Sequence, residues 1–138
     1  MKIKGILLSL ILVLSCESTP EDTKLAFNLL NEFRLEHGLA QLGYNLELAL
    51  KADSHAQFLR DTCTLEHAPL LKDAPRGWLA LGENVGRGGS IEAVQEGLVN
   101  SPTHREQMLG NYRVTGIGII WGTCNNQRTV FVVQEFMR

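Results

Sequence analysis

The segment VTGIGIIWGTCNNQRTVFVVQEF, residues 114–136, decides the fold class of this 138-residue chain. It contains two runs that are rich in β-branched and aromatic residues, 114–122 and 128–136, separated by the turn-forming stretch TCNNQ. Two such runs on either side of a short polar turn are typical of a β-hairpin. The sequence therefore predicts an antiparallel strand pair at its C-terminal end.

The residues before the hairpin predict four helices, which start after the capping residues Thr19, Asn45, Ser90 and Ser101. The first ends at Gly38, the second runs to about Arg60, the third to about Val99, and the short fourth ends near Gly110. Residues 61–77 show no period, and 78–85 could hold a short strand. Helices followed by a strand pair predict an α+β domain with an antiparallel sheet.

The overall composition indicates one globular domain. Apolar residues make up 44% of the chain, which is enough for a core, and the formal net charge is only −2. Lys and Arg are scattered, with no basic run of the kind that contacts phosphates. We therefore expect no nucleic-acid partner.

The N-terminus predicts export. Lys2 and Lys4 precede an apolar run over residues 6–14 that is too short to span a bilayer, and the run ends at VLSC. This end resembles a bacterial lipobox, in which Cys16 becomes the lipid-modified first residue. We expect a lipoprotein signal peptide over 1–15, a tether over 16–22 and a folded domain over 23–138. The product would be a cell-envelope lipoprotein, at the outer surface or facing the periplasm; an ordinary cleaved signal and secretion are the alternative.

Two cysteines remain after Cys16, namely Cys63 and Cys124. An even count in an exported protein favours one disulfide. Closing a loop of about 60 residues would stabilise the fold by about 4 kcal/mol on a chain-entropy estimate. Two free buried thiols are the alternative.

Few side chains could perform chemistry. Glu83 lies in the glycine-rich stretch LGENVGRGG, which matches neither phosphate-binding pattern and carries the wrong charge for one. His37 is expected to cap the first helix and His55 to be a core residue. If the fold brings His67, His104 and Glu83 together, the three could bind Zn²⁺ or serve as acid, base and orienting carboxylate. Spacing alone does not bring them together, and no nucleophilic triad is evident because Ser101 is expected to be a helix cap.

Several motifs in a fixed order resemble a known family. They are an Asn-x-x-Arg pair at Asn31 and Arg34, a helix pattern with Leu42, Asn45 and His55-Ala56, a His at 67, GENV, SPTHR, a GIG strand and a terminal VVQEF. The chain resembles the CAP superfamily of cysteine-rich secretory proteins, antigen 5 and pathogenesis-related proteins, and most closely its compact bacterial members. The resemblance covers roughly residues 23–138.

The resemblance implies a three-layer α-β-α sandwich around a small antiparallel sheet. It also implies a cleft with two His and two acidic residues that binds Zn²⁺ or another divalent ion in some members. His67, Glu83 and His104 match three of these positions. Ser101 lies near the place of the second acidic residue, so that one carboxylate is missing.

The implied function is less specific than the implied fold. We expect a binding module whose cleft holds a divalent metal or a small apolar ligand such as a lipid or sterol, or that contacts a host or cell-surface protein. A metal-assisted hydrolase with Glu83 as its base is the alternative. An adhesion protein with a vestigial site is a third possibility. Enzymatic activity is the less favoured of these functions.

Overall fold

The computed structural model describes residues 17–138, so the predicted signal peptide over 1–15 and the predicted lipidation site Cys16 lie outside the described residues. The elements are α1 Pro20–Glu36, β1 Gly43–Tyr44, α2 Leu46–Thr62, β2 Leu81–Gly88, α3 Ile91–Asn100, α4 Pro102–Met108, β3 Val114–Cys124 and β4 Gln127–Met137. Within this part of the chain, no helix has the length and apolarity needed to cross a bilayer.

The helices begin where the capping residues predict. The side chain of Thr19 accepts a hydrogen bond from the backbone N–H of Asp22, and Asn45 and Ser90 cap α2 and α3 in the same way. Gly38, two residues after the end of α1, has a φ of +71°, a conformation that costs glycine little. Local sequence signals therefore determine the bounds of these helices.

The four strands form one sheet in the order β1-β3-β4-β2. The predicted hairpin is present as β3 and β4, and β2 pairs antiparallel with β4. The sheet is nevertheless mixed, because β1 pairs parallel with the start of β3. Two residues are too short to show a strand period, so the sequence could not reveal this edge.

Helices cover both faces of the sheet, so the α+β fold in three layers is confirmed. One core joins the sheet to α1, α3 and α4, and includes Leu30, Val94 and Phe136. The other joins it to α2 and includes Ala52, Leu59 and Phe131. Helix α2 approaches β3 closely, because Gly116 and Gly118 have no Cβ where the α2 backbone passes.

The predicted disulfide is also present. Cys63 directly follows α2, and Cys124 ends β3, with their Cα atoms 5.7 Å apart. The bond joins the helix on one face of the sheet to the hairpin and closes a loop with a sequence separation of 61. The alternative of two free thiols is therefore wrong.

Candidate functional site

Glu83 lies on β2, one of the two edge strands of the sheet, and its side chain is only 1% exposed. Its Oε1 atom accepts hydrogen bonds from the backbone N–H of Ala68, at 3.0 Å, and from Nδ1 of His67, at 2.8 Å. Its Oε2 atom is buried and has no hydrogen-bond partner in residues 17–138. The fold thus brings His67 and Glu83 together, which sequence spacing alone could not show.

His67 belongs to the irregular segment between α2 and β2, and its side chain is 61% exposed. Because Nδ1 donates to Glu83, the lone pair of Nε2 is directed away from that carboxylate. No described residue contacts Nε2 by a hydrogen bond. The imidazole is therefore oriented by the buried Glu83 and presents Nε2 for other contacts.

His104 lies on α4 and is held in a similar way by Ser101. Nδ1 of His104 is 2.7 Å from Oγ of Ser101. Ser101 occupies the position before α4 but forms no side-chain hydrogen bond to the helix backbone. The prediction that its hydroxyl caps the helix is therefore wrong, because the imidazole three residues later takes the hydroxyl instead.

Both imidazoles line one pocket of about 280 Å³ along the outer edge of β2, together with Glu83, Asn84 and Thr103. His67 reaches it from the segment that follows α2, and His104 reaches it from α4. The pKa of His104 is lowered, first by burial and second by the charge of His67, which favours its neutral form. A neutral imidazole is the form that binds metal ions.

The pocket differs from a closed metal site. Within residues 17–138, no group of three or more His, Cys, Asp or Glu side chains is arranged to hold a metal ion. The Oε1 atom of Glu83 already accepts hydrogen bonds from Nδ1 of His67 and from the backbone N–H of Ala68. The imidazoles of His67 and His104 are the clearest ligands that the pocket offers.

A family model describes the whole domain. The model of the cysteine-rich secretory protein family, CAP, matches residues 27–136. The chain belongs to the CAP family. The resemblance found from the sequence motifs is therefore confirmed, and the candidate pocket lies within a CAP domain.

Solved structures show the same fold. An outer surface protein of Borrelia burgdorferi superposes with a TM-score of 0.73 at 22% identity, over 88% of this chain and 95% of that one. An extracellular protein with an SCP domain from Bacillus anthracis has a TM-score of 0.67 at 26% identity, over 90% of this chain and 45% of that one. A cysteine-rich secretory protein of Staphylococcus aureus has a TM-score of 0.67 at 21% identity, over 89% of this chain and 40% of that one. No curated protein matches the chain.

The CAP domain also contains a buried ion pair that sequence reasoning missed. Nζ of Lys51, on α2, contacts Oε1 of Glu135, on β4, and both side chains are at most 4% exposed. The helical periodicity of α2 could have revealed the buried lysine, because Lys51 lies between Leu48 and His55 on the inner face of that helix. Glu135 likewise continues the inward alternation of Phe131 and Val133.

The other two histidines have the structural roles that were predicted. Nδ1 of His37 lies 2.8 Å from the carbonyl of Phe33 at the end of α1. His55 is buried, and its Nε2 donates to the carbonyl of Glu66 at 2.7 Å. The bond from His55 connects α2 to the segment that carries His67.

Proposed function

We propose that this CAP-domain protein is exported, anchored to the cell envelope by a lipid on Cys16, and acts as a binding module. Export is supported by the signal-like N-terminus. It is also supported by similarity to an outer surface protein and to an extracellular protein. The binding surface is the pocket between His67 and His104, and a divalent cation such as Zn²⁺ is its first expected ligand.

The observation that carries the metal proposal is the orientation of the two imidazoles. In each ring Nδ1 is occupied by an internal oxygen, from Glu83 or from Ser101, and both rings line the same pocket. Metal-binding histidines are commonly held in this way, with the second nitrogen donating to a carboxylate or another acceptor. Bound Zn²⁺ would there act as a Lewis acid with open positions for water or ligand.

Glu83 fits an orienting role better than the role of third ligand. Its Oε1 atom already accepts two hydrogen bonds, and its Oε2 atom is buried. The same contacts oppose the hydrolase alternative, because a general base must reach the water it deprotonates, whereas Glu83 is buried and its Oε1 atom already accepts two hydrogen bonds. Binding is therefore favoured over catalysis.

Two further side chains also oppose catalysis. Cys63 is in a disulfide and offers no thiolate. Ser101 contacts His104 through Nδ1, and no described carboxylate orients that imidazole from Nε2. A nucleophile, base and orienting acid are therefore not assembled around either residue.

A neighbouring pocket supports a small organic ligand as a second occupant. It has a volume of about 380 Å³, lies between α2 and the segment 66–73, and shares His67 with the first pocket. Phe58 and Pro69 form part of its wall, and the side chain of Phe58 is 45% exposed. An apolar group could pack against this ring while a polar end reaches His67.

Calorimetric titration of the full chain in detergent with Zn²⁺ tests the metal proposal. Wild type is expected to release or absorb heat with a saturable site, and a variant with His67→Ala and His104→Ala is expected to lose it. Glu47→Ala is the control, because Glu47 is exposed in the first turn of α2, does not line the pocket and should leave the titration unchanged. Equal heats in wild type and the double variant, with both folded by circular dichroism, would overturn the proposal.

A further inference from the structure

The start of α1 is attached to one end of the sheet. Nε1 of Trp121, near the end of β3, donates to Oδ2 of Asp22 in the first turn of α1, at 3.3 Å. Cys16 precedes Pro20 by four residues, which can span at most about 14 Å. A lipid on Cys16 would therefore hold this end of the domain, where the β3–β4 turn lies, close to the membrane surface. We call this end of the domain the turn end.

The pocket lies at the opposite end of α1. The guanidinium of Arg34, in the last turn of α1, donates to the carbonyl oxygens of Met108 and Gly110, at 2.8 and 2.9 Å, and so fixes the end of α4. Arg105, the neighbour of His104, lies 2.9 Å from Nε2 of His37. A helix of 17 residues is about 25 Å long. The pocket and the tether are therefore separated by about the length of α1.

The turn end carries groups that suit a lipid headgroup layer. Arg87 and Arg128 are exposed there, and neither forms an ion pair within residues 17–138. The guanidinium of Arg128 lies 4.0 Å from the centroid of the Trp121 ring. Indole and guanidinium groups are favoured at membrane interfaces. The acidic residues Glu17 and Glu21 lie nearby. The orientation of the domain on the membrane must therefore be set by the covalent tether and not by net charge.

We propose that the anchored protein rests on the membrane through its turn end, with Trp121, Arg87 and Arg128 at the headgroups and the His67–His104 pocket directed away from the membrane. The inference rests on the proposed lipid anchor. It deepens the proposed function, because a pocket held in this way takes its ligand from the aqueous phase or from a facing surface. The membrane that carries the anchor would not supply the ligand directly.

Two tryptophans report the two ends of the sheet. Trp121 is at the turn end. Trp78 is at the other end, because the N–H groups of Leu79 and Ala80 both donate to the carbonyl of Arg138. Along β4, residues 130 and 137 near the two ends are about 23 Å apart at the usual rise per residue.

The experiment uses the lipidated full chain in vesicles that contain a lipid with a nitroxide on its headgroup. Trp78→Phe leaves Trp121 as the reporter, and Trp121→Phe leaves Trp78. If thermal unfolding shows that Trp121→Phe has a folding defect, Trp121→Tyr is used in its place. Each signal is normalised to nitroxide-free vesicles. We expect loss of Trp121 fluorescence and little loss of Trp78 fluorescence. Equal losses, or a greater loss for Trp78, would overturn the orientation.

Vesicle flotation separates the two proposals. If wild type floats with the vesicles but Trp121 is not the quenched reporter, the anchor stands and the orientation is wrong. If wild type does not float, or if Cys16→Ser floats equally well, the anchor and the orientation are both wrong. A flexible insert of about 20 residues after Cys16, with a span of about 25 Å, should reduce the loss of Trp121 fluorescence.

A charge-matched pair of variants tests the contact itself. In the Trp78→Phe background, Arg87→Gln with Arg128→Gln should reduce the quenching of Trp121. Arg76→Gln with Arg113→Gln removes the same charge outside the turn end and should not. An equal effect of both pairs would show that these guanidinium groups make no specific headgroup contact.

Discussion

Glu83 and Glu135 lie directly opposite each other on β2 and β4, and the side chain of each is only 1% exposed. Cross-strand partners project from the same face of a sheet, so two carboxyl groups meet beside a single ammonium, that of Lys51. Burial and the nearby Glu83 raise the pKa of Glu135 to about 8, although Lys51 opposes the shift. A protonated Glu135 can supply the donor that Oε2 of Glu83 otherwise lacks.

This shift predicts a pH-dependent stability. The pKa of Glu135 is raised from 4.5 to about 8 in the folded state. The stability that protonated Glu135 contributes to the fold is therefore fully present below pH 4.5 and is lost as pH rises through about 8. Glu135→Gln should remove this fall in the free energy of unfolding, measured with urea across that range. Glu96→Gln, an exposed carboxylate on α3, is the control; an unchanged slope in Glu135→Gln would contradict the prediction.

The ion pair itself can be tested by removing one partner or both. Lys51→Met leaves Glu135 buried without its cation and should lower the free energy of unfolding by about 3 kcal/mol above pH 8, where Glu135 is ionised. Lys51→Met combined with Glu135→Leu should recover most of that loss, because both charges are then absent. Chemical denaturation of the three proteins measures the coupling. A double variant no more stable than Lys51→Met would argue against it.

The close contact between α2 and β3 predicts a steric effect. A methyl group at position 118 would overlap the backbone of α2 at Ala52 and Asp53, so Gly118→Ala should destabilise the fold by about 1–3 kcal/mol. Gly97→Ala is the matched control. Gly97 lies within α3 with open space around it, and alanine there should stabilise the fold by about 0.5–1 kcal/mol. Thermal unfolding should therefore shift in opposite directions.

Two serines that precede helices should respond differently to the same substitution. Ser90→Ala removes a hydrogen bond to the backbone N–H of Ala93 and should cost about 1 kcal/mol of stability. Ser101→Ala removes no cap hydrogen bond but releases Nδ1 of His104, so it should instead weaken Zn²⁺ binding by about 10- to 100-fold. Unfolding and calorimetry on both variants check this, and reversed effects would refute the roles assigned here.

Local patterns in the sequence were enough for most of the fold. The capping side chains of Thr19, Asn45 and Ser90 each act within three residues, so their helices could be bounded without the rest of the chain. The hairpin was predictable because its strands are neighbours in the chain. The disulfide between Cys63 and Cys124 was predicted from the cysteine count in an exported protein. The order of motifs then identified the CAP fold.

Contacts between distant residues were decided only by the tertiary structure. Sequence spacing could not show that Glu83 orients His67, or that His104 reaches the same pocket from the other helical layer. The hydroxyl of Ser101 could have bonded the helix backbone or an imidazole, and only the folded geometry chose the imidazole. Lys51 and Glu135 are 84 residues apart in sequence. Local conformational preferences determine the helices and the hairpin, whereas the convergence of side chains depends on how those elements pack.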